Sequence, residues 1–247
     1  MSYIHLENLS LNFPIYGAGK QVFKKELLRL ATGGLLNKGK DKTIHISALN
    51  DLSLKISSGM RLGLIGHNGS GKSTLLRTIA GIYEPTGGQI EIKGTVTPIL
   101  DMMVGMSDES TGYENITISG LLHRQTKEKI SLIKKEVEIF SELGDYLHMP
   151  MRTYSAGMKV RLAFSIATNL PNDILVIDEV FGAGDKDFIE KATSRMMNMI
   201  DTSNIVVFAS HDNELLRSFC THLLWLDGGK IQFFGDIHEG LKMYLKN

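Results

Sequence analysis

A single cysteine, Cys220, occurs in 247 residues, which excludes a disulfide framework within the chain. It lies in a largely apolar stretch over 215–226 and is expected to pack as a small hydrophobe. No run of about 18 uncharged apolar residues is present, so no membrane-spanning helix is expected. The N-terminus carries His5 and Glu7 in a strand-like alternation and lacks the charged-then-apolar pattern of a signal peptide. The chain is therefore expected in the cytosol, or on a membrane only through another protein. A basic excess is missing as well: 27 Lys and Arg face 27 Asp and Glu, for zero formal charge. Nucleic-acid binders usually carry surplus positive charge, so no nucleic-acid partner is expected. Internal repeats and low-complexity tracts are also absent. The composition, 43% hydrophobic and 22% charged, is that of a globular chain able to bury a sizeable core.

What is present is strand–helix alternation at both ends. Residues 3–11 and 44–56 alternate apolar and polar side chains and predict strands. A short apolar run over 60–65 stops at Gly66, as a buried strand feeding a loop should. A helix follows from about Gly71 to Ala80, where Gly81 can cap it. The turn at residues 84–88 leads to strands over 89–93 and 95–100. From 110 to 143 the period lengthens to about 3.6, with Ile130, Ile133, Val137 and either Phe140 or Ile139 on one face. Another helix follows Ser155, with Val160, Ala163, Phe164 and Ala167 on a common side. Strands over 173–177 and 204–209 then alternate with helices over 187–200 and 211–220. Strands over 222–226 and 230–234 and a helix from Asp236 complete the pattern. This is an α/β core with a largely parallel sheet, built from 1–100 and 171–247. Residues 101–153 form an inserted helical subdomain that continues into the helix over 155–170.

Gly66-His67-Asn68-Gly69-Ser70-Gly71-Lys72-Ser73-Thr74 matches the pattern G-x-x-x-x-G-K-[ST] between a predicted strand and a predicted helix. Glycines let backbone N–H groups wrap closely round phosphate oxygens, and the helix start adds partial positive charge. Lys72 is expected on the β and γ phosphates, and the Ser73 hydroxyl on magnesium. ATP with magnesium is the expected ligand.

A triphosphate also needs its metal held and its attacking water oriented. The apolar strand Ile174-Leu175-Val176-Ile177 ends in Asp178 and Glu179. Asp178 is placed to hold magnesium, and Glu179, one residue on, is a candidate general base. Paired acids after such a strand can also simply begin a solvated loop; the phosphate loop upstream favours the catalytic reading. His211 follows another apolar strand, and at the end of a parallel core strand it faces the same crevice as the loop.

The order of these motifs resembles the nucleotide-binding subunits of ABC transporters. Tyr154-Ser155-Ala156-Gly157-Met158 is similar to the signature sequence L-S-G-G-Q of that family, with Ser155 and Gly157 matching and Ala156 and Met158 departing. The resemblance implies a P-loop NTPase core with a mixed, largely parallel sheet, an antiparallel β subdomain and the inserted helical subdomain. It further implies that Ser155 and Gly157 serve ATP bound by a second copy of the chain in a head-to-tail dimer. Asp185 resembles the aspartate that lies across that interface. The family usually has a glutamine entering the helical subdomain, and none occurs between Gln89 and Gln125. Asp101 stands at the corresponding place, where its shorter arm can still reach the hydration shell of the metal. An acid there resembles the polysaccharide-exporting subgroup. Thr111-Gly112-Tyr113-Glu114-Asn115-Ile116 and the run 154–167 look like that subgroup's T-G-x-E-N-I and Y-S-S-G-M-x-x-R-L-A-F-x-I-A patterns.

Residues 16–43 interrupt the two early strands. Lys20, Lys24, Lys25, Arg29, Lys38, Lys40 and Lys42 outnumber Glu26 and Asp41 there, and apolar residues over 22–30 suggest an amphipathic helix ending before Gly33. Such a helix suits an anionic membrane interface and could meet the head group of a lipid-linked glycan; it could equally pack on its own core or on a membrane partner. Tyr16 and His45 flank this insertion, and either could stack on adenine. The resemblance thus implies an ATP-hydrolysing subunit on the cytoplasmic face of the inner membrane, joined to two copies of a separate polytopic subunit. Its cargo would be a lipid-linked polysaccharide such as O-antigen. The alternatives are the same machinery for a small lipid or peptide, or a non-transport ABC ATPase. Long coiled-coil insertions and the tandem nucleotide sites typical of the latter are absent, as is the N-K-x-D motif of GTPases.

Overall fold

A computed structural model of the chain describes residues 1–15, 35–38, 44–100, 102–178 and 186–246. The first elements are β1 (Tyr3–Ile15), β2 (Leu35–Lys38), β3 (Ile44–Ser57), β4 (Arg61–Ile65), α1 (Lys72–Ile79), β5 (Gly87–Lys93) and β6 (Val96–Ile99). Three helices follow: α2 (Gly112–Leu122), α3 (Lys127–Ser141) and α4 (Ala156–Ala167). Then come β7 (Ile174–Asp178), α5 (Lys186–Thr202), β8 (Ile205–Ala209) and α6 (Asn213–Phe219). The last elements are β9 (His222–Asp227), β10 (Lys230–Asp236) and α7 (Ile237–Tyr244). The chain divides into two compact units, one of 1–96, 173–179 and 204–247, the other of 97–172 and 180–203.

In the first unit the period-two alternation becomes an antiparallel sheet in the order β2-β3-β1-β5. Ile4 and Leu6 are buried on β1, and then Leu9 and Leu11, one step out of parity. The shift falls where Asn8 takes φ 49° opposite a register break, with Asp51 on β3 at φ 58°. This bulge keeps both apolar pairs inward. β1 also runs past the predicted end at Leu11 to Ile15, which pairs with Ile44. Ile15 and Ile44, which flank 16–43, are thus cross-strand neighbours, and between such ends an insertion costs little closure entropy. Of that insertion, Leu35–Lys38 pair with β3 as an added strand, from Leu35 opposite Ser47 to Lys38 opposite Ile44. The amphipathic helix expected over 22–30 lies outside the described residues.

A second sheet of this unit has the order β10-β9-β4-β8-β7. β4 is parallel to β8 and β9, and β7 to β8, whereas β10 returns antiparallel on β9. Ile174 to Ile177 and Ile205 to Ala209 are uninterrupted buried runs, as parallel strands covered on both faces require. The mixed sheet, its parallel core and the antiparallel layer agree with the α/β architecture expected from the sequence.

The second unit is helical. α2 begins with a capping box: the Thr111 hydroxyl accepts from Glu114 N, and the Glu114 carboxylate accepts from Thr111 N. α3 buries Ile130, Ile133 and Val137 on the predicted stripe. Of the two candidates for its last position, Ile139 is 73% exposed. Phe140 instead joins Phe164 and Phe188, at ring-centroid distances of 6.0 and 5.7 Å. Arg195 lies over the Phe140 ring and Arg161 over Phe188, so the aromatic cluster is roofed by cations.

Candidate nucleotide-binding site

The parallel strands deliver their carboxyl ends to one edge of the sheet. Ala209 on β8 pairs with Leu64 on one side and Asp178 on the other. Gly66, the half-buried Asp178 and the exposed His211 therefore start from neighbouring strand ends. The expected crevice of an open α/β sheet lies at this edge.

β4 is buried from Leu62 to Ile65 and turns at Gly66, which has φ 146°. A side chain at 66 would meet the Leu226 carbonyl oxygen at 2.2 Å and Ser70 Oγ at 2.5 Å, so only glycine permits the turn. Gly71, at φ 108°, caps α1, where a side chain would strike the Ala48 carbonyl at 2.8 Å. No side chain caps that helix, and its first turn holds no acid, which leaves the amide-rich start available to an anion. Lys72 is buried, with Nζ donating to the carbonyls of Gly66 (2.6 Å) and His67 (3.2 Å). A buried ammonium at this loop is a strong partner for phosphate oxygens. Ser70 Oγ is buried and has no hydrogen-bond partner among the described residues. Such a hydroxyl fits a ligand rich in acceptors.

Magnesium would be held by the Ser73 hydroxyl at the start of α1 and the Asp178 carboxylate at the end of β7. Both are hard oxygen donors. This ion usually takes one or two carboxylates and completes its shell with phosphate and water.

His45 lies on β3, half-buried and in register with Pro14 of β1 and Asn37 of β2. Tyr16, Asp101, Glu179 and Asp185 lie outside the described residues.

In the helical unit, Ser155 caps α4 by accepting from Met158 N at 3.3 Å. Ser155 and Ala156 are exposed, and the first turn of α4 carries no acid. At Gly157 a methyl group would find nothing nearer than Ser155 Oγ at 4.0 Å, so the unit leaves open space over this helix start. The motif at 111–116 proves to be packing. Asn115 is 1% exposed and ties down the preceding loop through Ser107, Ser110 and Thr111. A side chain at Gly112 would strike the Tyr154 hydroxyl at 2.7 Å. That hydroxyl donates to the Tyr146 carbonyl at 2.5 Å, and burial raises its pKa. The two subgroup patterns thus meet at Tyr154, immediately before the α4 cap. The capping box has a sequence signal, S/T-x-x-E at Thr111 and Glu114, that the reading above did not use; the Asn115 contacts have no local signal.

Asp227 is a further residue at this site without a sequence signal. It holds His67 Nε2 at 2.6 Å, while His67 Nδ1 meets the Asn68 carbonyl at 2.8 Å. The bond to Asn68 first, and then that to Asp227, hold the imidazole above its ordinary value of 6.5, against some burial and the charge of Lys72.

Residues 49–182 match the family model described as ABC transporter. The chain is 43% identical over 231 residues to the O-antigen export system ATP-binding protein RfbE of Yersinia enterocolitica, covering 94% of this chain and 97% of that one. It is 40% identical over 210 residues to the teichoic acids export ATP-binding protein TagH of Bacillus anthracis, covering 85% of this chain but only 38% of that longer relative. Among solved structures, a dimeric ATP-binding cassette in a post-hydrolysis state with ADP and Pi superposes with a TM-score of 0.67 at 20% identity. That likeness covers 95% of this chain and 98% of the other, and it speaks to the fold. With the phosphate loop at the sheet edge and a family match over 49–182, the chain belongs to the ABC transporter family.

Proposed function

We infer that this chain is the ATP-hydrolysing subunit of an ABC exporter that moves a lipid-linked polysaccharide of the O-antigen kind across the cytoplasmic membrane. The observation carrying the cargo is the 43% identity to an O-antigen export ATP-binding protein along 97% of that relative. A teichoic acid is the neighbouring cargo, favoured by the 40% identity to TagH over a smaller share of its length.

In this reading Gly66 to Thr74 wrap the triphosphate, with Lys72 on the β and γ phosphates. Magnesium, when bound, supplies positive charge where negative charge builds up in the transition state; Ser73 and Asp178 would hold it. Glu179 accepts a proton from the attacking water, and His211 faces the γ-phosphate from the next strand end. Asp101 takes the place of the usual glutamine entering the helical subdomain. Tyr16 or His45 stacks on adenine. A second copy of the chain completes the site head to tail, through Ser155 and Gly157 at its α4 start and through Asp185. The exposed Ser155 and the open space over Gly157 support this arrangement. Two copies of a polytopic membrane subunit form the path, with the ATPases on its cytoplasmic face. No described helix is long and apolar enough to cross a membrane. The basic segment 16–43 is the candidate contact for the lipid-linked head group. ATP binds the closed pair more tightly than the open one, and that difference drives the membrane subunits.

Deleting the gene and measuring surface glycan tests the cargo. Wild type should restore the glycan and Glu179→Gln should not. Purified E179Q should still bind ATP while hydrolysing it about 10²- to 10⁴-fold more slowly. Unchanged surface glycan in the deletion strain would refute the polysaccharide assignment. Wild-type turnover in E179Q would remove Glu179 from the base role.

A further inference from the structure

β4 and β9 are parallel neighbours, paired from Leu62 opposite His222 to Ile65 opposite Trp225. Two residues beyond that last pair stand His67, in the loop after β4, and Asp227, the last residue of β9. The register of the β4–β9 ladder therefore continues as a side-chain pair, His67 Nε2 to Asp227 Oδ1 at 2.6 Å. The turn after β9 holds the loop a second time: Gly229 N donates to the Ser70 carbonyl at 3.0 Å, and Asn50 N donates to the Gly229 carbonyl at 2.8 Å. The end of β9 thus grips the phosphate loop at its entry and the β9–β10 turn grips it at its middle, and that turn is itself gripped by β3.

We propose that Asp227 is a positioning residue for nucleotide binding, acting through His67 to hold the phosphate loop in its anion-receiving shape. The proposal rests on the reading of Gly66 to Thr74 as the ATP site. Both ring nitrogens of His67 face acceptors, the Asn68 carbonyl and the Asp227 carboxylate, so both bonds are made only by the imidazolium. The ring bond holds the Asn68 carbonyl, a group that would repel phosphate if it turned inward. The His67 carbonyl in turn accepts from Lys72 Nζ at 3.2 Å, which links the clamp to the phosphate-binding cation. The charged groups acting on the ring are Asp227 from β9 and Lys72 from α1.

The raised imidazole keeps its charge, and the clamp stays whole, below the ordinary histidine value of 6.5. The clamp's contribution is lost as pH rises through the raised value, when one ring proton leaves and one bond with it. Pair members this exposed, at 48% and 50%, couple weakly, so the effect on affinity is about two- to five-fold.

The test is the dissociation constant of magnesium–ATP, measured on the whole chain from pH 5.5 to 9. Wild type, Asp227→Asn, His67→Gln and Lys72→Ala are compared, and titration of the nucleotide itself is common to all four. Wild type should weaken about two- to five-fold across a histidine-like midpoint. D227N should bind more weakly at acid pH, with its midpoint lowered, and H67Q should lose the midpoint. The His67 ring resonance, identified by its absence in H67Q, should titrate at lower pH in D227N whether or not nucleotide is present. An unchanged midpoint in D227N, or a midpoint that survives in H67Q, overturns the proposal. If K72A binds as wild type does, the reading of the loop as the ATP site falls instead.

Discussion

Replacing Asn115 by alanine should cost about 2–3 kcal/mol of stability, and the figure follows from which partners are stranded. The amide is 1% exposed and makes four bonds to nitrogen and oxygen partners, besides a long one to Met151 Sδ. It accepts from Ser107 N at 2.8 Å and donates to the carbonyls of Ser107 (3.0 Å), Ser110 (3.2 Å) and Thr111 (3.0 Å). All three carbonyls keep another donor when the side chain is removed: Ser110 N, Met151 N and Asn115 N respectively. Only the Ser107 N–H is orphaned, at about 1–3 kcal/mol, with a smaller loss from the three weakened acceptors and the void. Asn115→Asp separates bonding from shape. It keeps the acceptor but sets a carboxylate against three carbonyl oxygens, so it should be at least as destabilising at neutral pH. It should regain stability as pH falls and the carboxyl becomes a donor. Urea unfolding followed by circular dichroism, with midpoint and slope both reported, measures this. An alanine variant within about 0.5 kcal/mol of wild type, the range of an ordinary surface change, would refute the reasoning. So would an aspartate variant that matches wild type at pH 7.

Burial pushes the Cys220 thiol up to about 12, against a smaller pull from Arg61. A thiol reagent at pH 8 should therefore label the protein only as it unfolds, and rapid labelling of the native protein would contradict the burial. ATPase activity per molecule should rise with protein concentration as copies pair. Ser155→Arg, at the exposed start of α4, should suppress that activity while leaving ATP binding by the monomer intact. Concentration-independent turnover from a monomer would overturn the shared site.

The phosphate loop was legible because its chemistry is local. Gly66, Gly71 and Lys72 sit within seven consecutive residues, and the strand and helix around them announce themselves by burial and period. The acid ending β7 was legible for the same reason. Elsewhere local pattern left choices open. A helical stripe tolerates either Phe140 or Ile139, and only the neighbours Phe164 and Phe188 select the phenylalanine. The strand Leu35–Lys38 inside the basic insertion gave no sign of itself, because an added edge strand is specified largely by the β3 partner it pairs with. The resemblance of 111–116 to a subgroup pattern said nothing of its cause, which is a buried asparagine and a glycine pressed against Tyr154.

The sequence by itself determined that this chain carries a G-x-x-x-x-G-K-[ST] loop in an α/β core and belongs with ABC transporter ATPases. Those features are written in short runs whose backbone needs no distant partner to be recognised. The tertiary structure alone decided what holds that loop. His67 and Asp227 are 160 residues apart and meet only because β4 and β9 pair in parallel with that offset. Strand register is set by the burial of whole sheets, and no short stretch of sequence contains it.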